Sequence, residues 1–400
     1  MISLGDEFID SPDGQAVLRH LRYAKSISGC IDIITLTRGK KHKPISYNRK
    51  VNVMPVHSKN ALFVVLKALF FSILWSKGKK YNLVYSQDPF GTAIVALWVR
   101  FFYKTPVIIG NHSSFIDNEE WIRERRVFFS ILNWVSKRTL PRANACRVIN
   151  YEERDRYVRK LGINKSSVAV ISTPVLLDNF LQRIRVDETN SLRENLDIPL
   201  SSTVFIWVGR PVRVKRIPVL LKAFNLLLKE IPNAKLLLVG RFDLQQEELR
   251  NIAKTLGLNN KSVIWIDKGV PFSELPLYYQ ASDVYVHSSN YEGFGKVMVE
   301  AAASNLPIVS TETSGAKMII KDGKTGILAP IDDYAALSSA MLELARNKNM
   351  AENMAESGRR RVLDLFNQDS VIDRLTLMWK KVSDAGHKNR AVVADDHFIR

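Results

Sequence analysis

Residues 284–310 read VYVHSSNYEGFGKVMVEAAASNLPIVS and carry the clearest structural pattern in the chain. The apolar run 284–287 predicts a strand, residues 295–304 predict a helix, and residues 307–310 predict a second strand. A helix that connects two short apolar strands is typical of a right-handed βαβ unit, in which the two strands are parallel. The polar loop before the helix then lies at the carboxyl edge of the sheet, where α/β proteins bind ligands.

The same alternation continues on both sides of this unit. In the second half, the predicted strands are 203–208, 234–239, 262–266, 284–287 and 307–310, and the predicted helices lie near 218–230, 245–256, 273–280 and 295–304. In the first half, the predicted strands are 31–36, 51–56, 83–85, 107–109, 146–149 and 168–171, and the predicted helices lie near 15–26, 61–75, 92–103, 122–137 and 152–161. Each half is therefore predicted to be a doubly wound α/β layer with helices on both faces of a parallel sheet.

The polar, acidic segment 187–202 predicts the joint between the two halves. We therefore predict an amino-terminal domain of residues 1–186 and a carboxyl-terminal domain of residues 187–367. A last helix at about 368–386 has no strand after it and is expected to return to the first domain. Two such domains joined by a hinge place a ligand cleft between the carboxyl ends of their sheets.

The composition excludes several classes of protein. Of the 400 residues, 46% are hydrophobic and 24% are charged, which is typical of a folded globular chain and not of a disordered chain, a collagen or a coiled-coil rod. The two cysteines, Cys30 and Cys146, are too few for a disulfide framework, so we expect a reducing compartment. The acidic start of the chain does not resemble a secretory leader, and the apolar stretch 61–75 is too short to span a bilayer. We therefore expect a cytoplasmic protein.

The formal net charge of +18 is distributed unevenly along the chain. Residues 1–150 hold 23 Lys and Arg against 10 Asp and Glu, whereas residues 151–400 hold 35 against 30. This asymmetry favours an anionic partner for the first half, such as a membrane surface, a phosphorylated substrate or nucleic acid. A merely solvated basic surface is the alternative explanation.

A first candidate site follows the predicted strand 203–208. Gly209 allows close approach of a ligand to the backbone, and Arg210 and Lys215 lie between the strand and the next helix. A helix amino terminus with two nearby cations suits a phosphate group. Solvated turn cations are the alternative, and the spacing lacks the glycines of a Walker loop or a dinucleotide fingerprint.

A second and sharper candidate site lies in the quoted segment. Gly293 and Gly295 lie at the start of the predicted helix, between the carboxylates of Glu292 and Glu300. The first amides of a helix have no partner within the helix itself. A carboxylate accepts pairs of hydroxyl hydrogens, so both residues are candidates for holding sugar or ribose diols. The alternatives are a helix-terminal acid for Glu292 and a surface helix position for Glu300. The small residues 301–303 favour burial beside Glu300, and a buried carboxylate needs a partner.

In order and spacing, these motifs resemble glycosyltransferase family 4, which consists of retaining nucleotide-sugar transferases. Its E-x7-E motif is matched by Glu292 and Glu300, its G-R-x4-K stretch by residues 209–215, and its later segments by residues 301–309 and 321–328. The resemblance covers most of the chain. It implies the α/β GT-B fold, with two doubly wound Rossmann-like domains that face each other across a cleft.

The resemblance also implies a role for each matching residue, with UDP- or GDP-sugar as the donor and neither a cofactor nor a metal ion. Gly209, Arg210 and Lys215 would lie against the donor diphosphate, with the two cations neutralising it. Glu292 would hold hydroxyls of the transferred sugar, and Glu300 would bind the ribose. The remaining donor contacts would come from the amides of Gly293, Phe294 and Gly295 and from Gly269 and Val270 beside the base.

Two further matches lie in the first domain. His112, in Gly110-Asn111-His112-Ser113, matches the family histidine near the reacting carbon, with a hydrogen-bonded loop histidine as the alternative. Gly14 is the best match to the family's glycine-rich loop, although the family has more glycines there. The resemblance thus implies catalytic roles for Glu292, His112, Arg210 and Lys215. Asp332 and Asp333 are expected to cap a helix and not to bind a metal.

Two apolar helices in the first domain bear on a membrane partner. Residues 61–75 suit a core helix, whereas the aromatic-rich segment 122–142, bordered by cations, suits an interfacial helix.

The chain is therefore predicted to be a peripheral enzyme that transfers sugar to a glycan or lipid-linked saccharide at the inner face of an anionic membrane, in surface polysaccharide synthesis. The alternatives are a nucleotide-sugar epimerase or hydrolase, and a non-catalytic basic protein that binds membrane or RNA. No RNA-binding signature is present, so we expect no nucleic-acid partner.

Overall fold

A computed structural model of the chain describes residues 1–5, 9, 15–38, 41–113, 115–242, 246–387 and 390–393. It divides into two compact units, Met1–Ser172 with Asp369–Arg400, and Thr173–Gln368. The boundary at Ser172 lies earlier than the predicted boundary at residue 186. The reason is that Phe180 packs edge-on against Phe272 and Tyr279, within the second unit.

The elements of the first unit alternate along the chain up to residue 172. Its strands are β1 (Ile2–Leu4), β2 (Ile31–Thr37), β3 (Ile45–Tyr47), β4 (Val51–His57), β5 (Val84–Ser86), β6 (Val107–Gly110), β7 (Ala145–Val148) and β8 (Val168–Val170). The helices between them are α1 (Gln15–Ser26), α2 (Ala61–Ser76), α3 (Gly91–Tyr103), α4 (Glu119–Glu124), α5 (Arg126–Thr139) and α6 (Tyr151–Leu161).

The second unit continues the alternation from residue 173. Its strands are β9 (Val204–Val208), β10 (Lys235–Val239), β11 (Val263–Ile266), β12 (Val284–His287), β13 (Ile308–Thr311) and β14 (Ile327–Ala329). Its helices are α7 (Asp178–Leu181), α8 (Val186–Asn195), α9 (Ile217–Glu230), α10 (Gln246–Thr255), α11 (Leu275–Gln280), α12 (Lys296–Ala303), α13 (Ser314–Ile319), α14 (Tyr334–Arg346) and α15 (Lys348–Phe366). The last helix, α16 (Gln368–Ala385), belongs to the first unit from Asp369 onward.

The sheet of the first unit has the order β3-β4-β2-β1-β5-β6-β7-β8 and is parallel except at the edge strand β3. One face packs on α1 and α16, where Val17 and Leu375 belong to a single buried cluster. The other face packs on α2, α3 and α6 through residues such as Ala68, Val95 and Tyr157. The last helix, α16, packs on this unit, where its apolar stripe completes one layer of the core.

The sheet of the second unit is wholly parallel and has the order β11-β10-β9-β12-β13-β14. Its central strands are continuous apolar runs because helices cover both faces. From β9 the chain moves first to β10 and β11 and later to β12 on the opposite side. The helices that follow β9 and β12 therefore diverge, which opens a crevice at the carboxyl ends of these two strands.

Helix α2 differs from the core helix predicted at 61–75. Its buried positions are Val64, Ala68, Ser72 and Ser76, which recur every fourth residue and form one narrow stripe of mostly small side chains. The large apolar side chains on its other faces are exposed, namely Leu62, Phe63, Leu66, Phe70, Phe71 and Leu74. Helix α2 therefore packs on the core as predicted, but only along this stripe. The expectation of burial all round was wrong, because apolar composition alone does not show how much of a helix its neighbours cover. Among the described residues, no helix is long and apolar enough to cross a membrane.

Candidate active site

The centre of the candidate site is a contact between Lys215 and Glu292 at the crevice between β9 and β12. Lys215 ends a short 3₁₀ turn after β9, and Glu292 lies in the loop after β12. The Lys215 ammonium donates a hydrogen bond to Glu292 Oε2. Both side chains are largely buried, with 16% and 19% of their surface exposed. The structure thus brings together the two candidate sites, which the family resemblance assigned to one donor.

Backbone contacts hold this ion pair in place. Ser288 Oγ donates to the Lys215 carbonyl oxygen at 2.8 Å, and the Asn290 amide donates to the Val214 carbonyl oxygen at 3.0 Å. The Gly315 amide donates to the Glu292 carbonyl oxygen at 2.8 Å, which anchors the loop to α13. The carboxylate and the ammonium are therefore presented by two loops that brace one another.

His287 is a member of the site that the sequence analysis missed. It is fully buried at the end of β12, and its Nε2 lies 3.3 Å from Glu292 Oε2 and 2.9 Å from Ser289 Oγ. The Tyr285 hydroxyl lies 3.1 Å from Nδ1. Burial lowers the pKa of His287 below its ordinary value, so the ring is neutral at pH 7. When the neutral His287 ring accepts a hydrogen bond from the Tyr285 hydroxyl at Nδ1, its proton lies on Nε2, which donates a hydrogen bond toward Glu292.

These neighbours set the charge of Glu292. Burial alone would raise the pKa of its carboxyl, but the hydrogen bond from His287 and the charge of Lys215 outweigh burial and lower the pKa to about 2. Glu292 is therefore a carboxylate at neutral pH. The sequence offers one signal for His287, its position as the polar residue at the end of the apolar run 284–287. That position indicates a strand end and no specific role.

Glu300 lies on α12 and is buried, so it is not the surface residue that the alternative interpretation assumed. Ala301, Ala302 and Ala303 are also buried, as the small-residue pattern predicted. Burial raises the pKa of Glu300 to about 7, and the Tyr279 hydroxyl donates to Glu300 Oε2 at 3.4 Å. Glu300 is therefore poised between its neutral and ionised forms near physiological pH.

The glycine-rich turn Gly293-Phe294-Gly295 leads directly into α12, for which Gly295 is the N-cap. Gly295 has φ +86°, a backbone conformation that other residues rarely adopt, and a Cβ atom there would clash with Met298 Cε and lie 3.2 Å from Glu292 Cγ. A larger residue would therefore strain the turn and push on the side chains of Met298 and Glu292. Gly269 and Val270 follow β11 at the same carboxyl edge, two strands away from β9.

Arg210 follows Gly209 at the end of β9 and is exposed. Its guanidinium makes no ion pair or hydrogen bond with the part of the chain that the structure describes. The neighbouring Arg216 pairs with Asp332 at 3.1 Å. Asp333 caps α14 by accepting from the amides of Ala335 and Ala336, as predicted. Within the described ranges, no group of three or more His, Cys, Asp and Glu side chains is arranged to hold a metal ion.

In the first unit, His112 is exposed in the loop after β6. The preceding Asn111 is fully buried, and its side-chain amide donates to Tyr157 Oη at 2.8 Å and to Glu153 Oε1 at 3.2 Å. These bonds hold the loop against α6 and present His112 at the carboxyl edge of the first sheet. Gly14, the other first-domain prediction, lies outside the described residues.

Two family models match the chain. A model described as Glycosyltransferase Family 4 matches residues 31–179, and a model described as Glycosyl transferases group 1 matches residues 188–361. The capsular polysaccharide biosynthesis glycosyltransferase CapM of Staphylococcus aureus is 24% identical over 86% of this chain and 88% of its own length. The lipopolysaccharide core biosynthesis glycosyltransferase LpsE of Rhizobium meliloti is 27% identical over 45% of this chain, which spans about half (51%) of that relative.

Solved structures of low sequence identity share the fold. A sucrose-phosphate synthase from Thermosynechococcus elongatus superposes with a TM-score of 0.77 at 22% identity, covering 96% of this chain and 99% of that one. Anabaena HepE, solved in complex with UDP and glucose, superposes with a TM-score of 0.71 at 17% identity, covering 95% and 98% of the two chains. The predicted GT-B fold is confirmed.

Proposed function

Since the chain belongs to glycosyltransferase family 4, we propose that it transfers a sugar, with retention of configuration, from a nucleotide-diphosphate sugar to a glycan or lipid-linked saccharide. The observation that carries this proposal is the buried cluster of Lys215, Glu292 and His287, with Glu300 on the adjoining helix. It combines a phosphate-binding cation with two carboxylates that suit hydroxyl pairs. Family membership supports glycosyl transfer as the reaction.

The donor is proposed to lie along the carboxyl edge of the second sheet. Arg210 and Lys215 hold the diphosphate, Glu292 holds sugar hydroxyls, and Glu300 holds the ribose. The amides of residues 293–295 complete the sugar and phosphate contacts, and residues 269 and 270 pack on the base. A UDP-sugar or GDP-sugar fits this order, and the solved complexes of Anabaena HepE with UDP and with UDP-glucose support a nucleotide-sugar donor.

The proposed mechanism follows from where charge develops. As the bond between the anomeric carbon and the phosphate oxygen breaks, negative charge grows on the diphosphate. Arg210, Lys215 and the amides before α12 stabilise that charge without reorganising. The acceptor oxygen attacks from the same face of the sugar, and its proton passes to the leaving phosphate oxygen. His112 is proposed to act near the reacting carbon, and the two cations supply the charge that a metal ion supplies in other enzymes.

We propose surface polysaccharide synthesis at the inner face of the membrane as the biological setting. Curated relatives act in capsular polysaccharide and lipopolysaccharide core biosynthesis, which supports an acceptor of this class. The basic residues of the first 150 positions favour an anionic membrane as the peripheral partner. The basic segment around α4 and α5 was the membrane-binding region predicted from sequence.

Donor-binding calorimetry tests the proposal. One or more UDP- or GDP-sugars should bind to the wild-type chain in excess chelator, and proton NMR of the product should show the donor's anomeric configuration. An inverted product would contradict retention. Sugar release to water at the same rate with and without a glycan acceptor would favour the hydrolase alternative. A protein that binds vesicles or RNA and ignores every nucleotide sugar would contradict the proposed function altogether.

A further inference from the structure

We infer that the exposed apolar side chains of α2, α3 and α5 form one bilayer-docking surface, which inserts into the boundary between headgroups and acyl chains of an anionic membrane. We call this surface the three-helix apolar face. It comprises Phe63 and Phe70 of α2, Trp98 and Phe101 of α3, and Ile131 and Trp134 of α5, each more than a third exposed. The inference deepens the proposed membrane partner and assigns α2 and α3 to the contact.

The topology places the three helices on one side of the first sheet. The connections β4-α2-β5, β5-α3-β6 and β6-α5-β7 all advance in the same direction across the strand order. Right-handed crossovers that advance in one direction lie on the same face of a sheet. Tyr103 Oη of α3 donates to the Ile73 carbonyl oxygen of α2 at 2.9 Å, and the Thr139 hydroxyl of α5 donates to the Pro89 carbonyl oxygen just before α3 at 2.6 Å.

Helices α2 and α5 bury little of their apolar surface, whereas α3 buries one side in the core and exposes Trp98 and Phe101 on the other. In α2 the buried stripe consists mainly of small side chains, and in α5 the only buried positions are Ser136 and Thr139. Phe70 is 63% exposed, Phe101 66% and Val127 74%. Apolar surface of this extent exceeds the isolated hydrophobic residues that monomeric proteins ordinarily expose, and it marks an interaction site.

The charges around the face indicate which partner covers it. Helices α2, α3 and α5 contain no Asp or Glu and five Lys or Arg. Lys104 lies 5.5 Å over the ring of Phe101, and Arg138 lies 5.5 Å over the ring of Trp134. Membrane-interface segments typically combine exposed aromatic rings with Lys and Arg, whose apolar stems lie beside the rings. A second copy docked on this face would bring two sets of cations together, which disfavours self-association.

Vesicle binding of the full chain tests the inference. Wild type and the triple variant Phe70→Ser/Phe101→Ser/Trp134→Ser are compared by co-sedimentation with zwitterionic vesicles, with and without an anionic lipid, at low and high salt. Leu18→Ser/Leu377→Ser is the control, because these two apolar residues are also about half exposed (47% and 48%) but lie on α1 and α16, at the opposite side of the sheet. Donor affinity should be the same in all three proteins.

We expect wild type and control to bind anionic vesicles, with part of the binding resistant to high salt. The triple variant should bind about tenfold more weakly for each side chain that inserts. Equal binding by the triple variant would overturn the inference, as would complete loss of wild-type binding in high salt. A wild-type dimer in light scattering, without vesicle binding, would assign the face to a second copy instead.

A second measurement needs no destabilising change. Lipids brominated in the acyl chain should quench tryptophan fluorescence of the wild type, and Trp98→Phe/Trp134→Phe should lose most of that quenching. An absence of quenching would overturn insertion even where vesicles bind. Insertion by a chain that binds no nucleotide sugar would leave this inference standing while the proposed function fails. Donor binding without insertion would overturn this inference and leave the proposed function standing.

Discussion

Replacing Glu292 with Gln removes one charge from the buried cluster while it preserves the shape of the side chain. Although burial alone raises the pKa of this carboxyl, His287 and Lys215 lower it from 4.5 to about 2. At about 1.4 kcal/mol for each pH unit, the interactions of the carboxylate contribute roughly 3 kcal/mol to the free energy of unfolding at neutral pH. Glu292→Gln should therefore destabilise the second unit by about 3 kcal/mol, because Lys215 is left buried without its partner.

The pH dependence of this loss has a definite sign. A lowered pKa means that the contribution of Glu292 is present above pH 4.5 and is lost as the pH falls toward about 2. Urea unfolding of the wild type should therefore show a fall in stability over this range that Glu292→Gln largely lacks. The matched control is Lys215→Met/Glu292→Gln, which removes both charges and should recover much of the lost stability.

The same variants distinguish the effect of the substitution on catalysis from its effect on stability. Glu292→Gln should lower kcat/KM for sugar transfer by orders of magnitude at a temperature where it remains folded, because the amide is uncharged and has one acceptor oxygen in place of two. The double variant should be more stable than Glu292→Gln and equally inactive. Near-normal transfer by Glu292→Gln would refute the assignment of the sugar to this residue. An unchanged unfolding midpoint would refute the energetic value assigned to the Lys215 contact.

Three further predictions concern the donor. Donor affinity should rise from about pH 6 to about pH 8, because burial raises the pKa of Glu300 to about 7 and the ribose binds to the ionised form of Glu300. Calorimetry should show that donor binding releases a proton, and Glu300→Gln should remove the pH dependence of donor affinity. Activity should survive excess chelator, and an absolute requirement for magnesium or manganese in a transfer assay would show that the phosphate site is misassigned. Arg210→Ala should weaken binding of the nucleoside diphosphate about tenfold to a hundredfold and leave binding of the bare nucleoside unchanged, as measured by calorimetry of both ligands.

The parts of the fold that the sequence predicted are those in which local pattern and packing agree. The segment from β12 to β13 alternates apolar strand, glycine-rich turn and helix, and the structure has those elements in that order. Strands β1, β3 and β14 were not predicted, since each has only three residues and depends on its neighbours for pairing. Helix α2 was assigned to the core because its apolar composition does not show which faces the sheet covers.

Most members of the candidate site were predictable from the sequence, but His287 and the pairing of Lys215 with Glu292 were not. Glu292 and Glu300 follow from a fixed spacing, and Lys215 follows from the turn after β9. The contact between Lys215 and Glu292 joins loops 77 positions apart, and such contacts depend on strand order, which sequence patterns do not specify. His287 could be recognised only once burial and its two hydroxyl neighbours were known, because a single histidine at a strand end carries no distinctive pattern.

The most direct test of the central claim is a screen of UDP- and GDP-sugars for release of nucleoside diphosphate, with a lipid extract as acceptor. Wild type, Glu292→Gln and Glu300→Gln are measured in parallel, with and without the extract. We predict that at least one donor yields nucleoside diphosphate only when acceptor is present, and that Glu292→Gln abolishes the release. Release that persists undiminished in Glu292→Gln, or no donor turned over or bound by the wild type, would contradict a sugar-transfer site at Glu292.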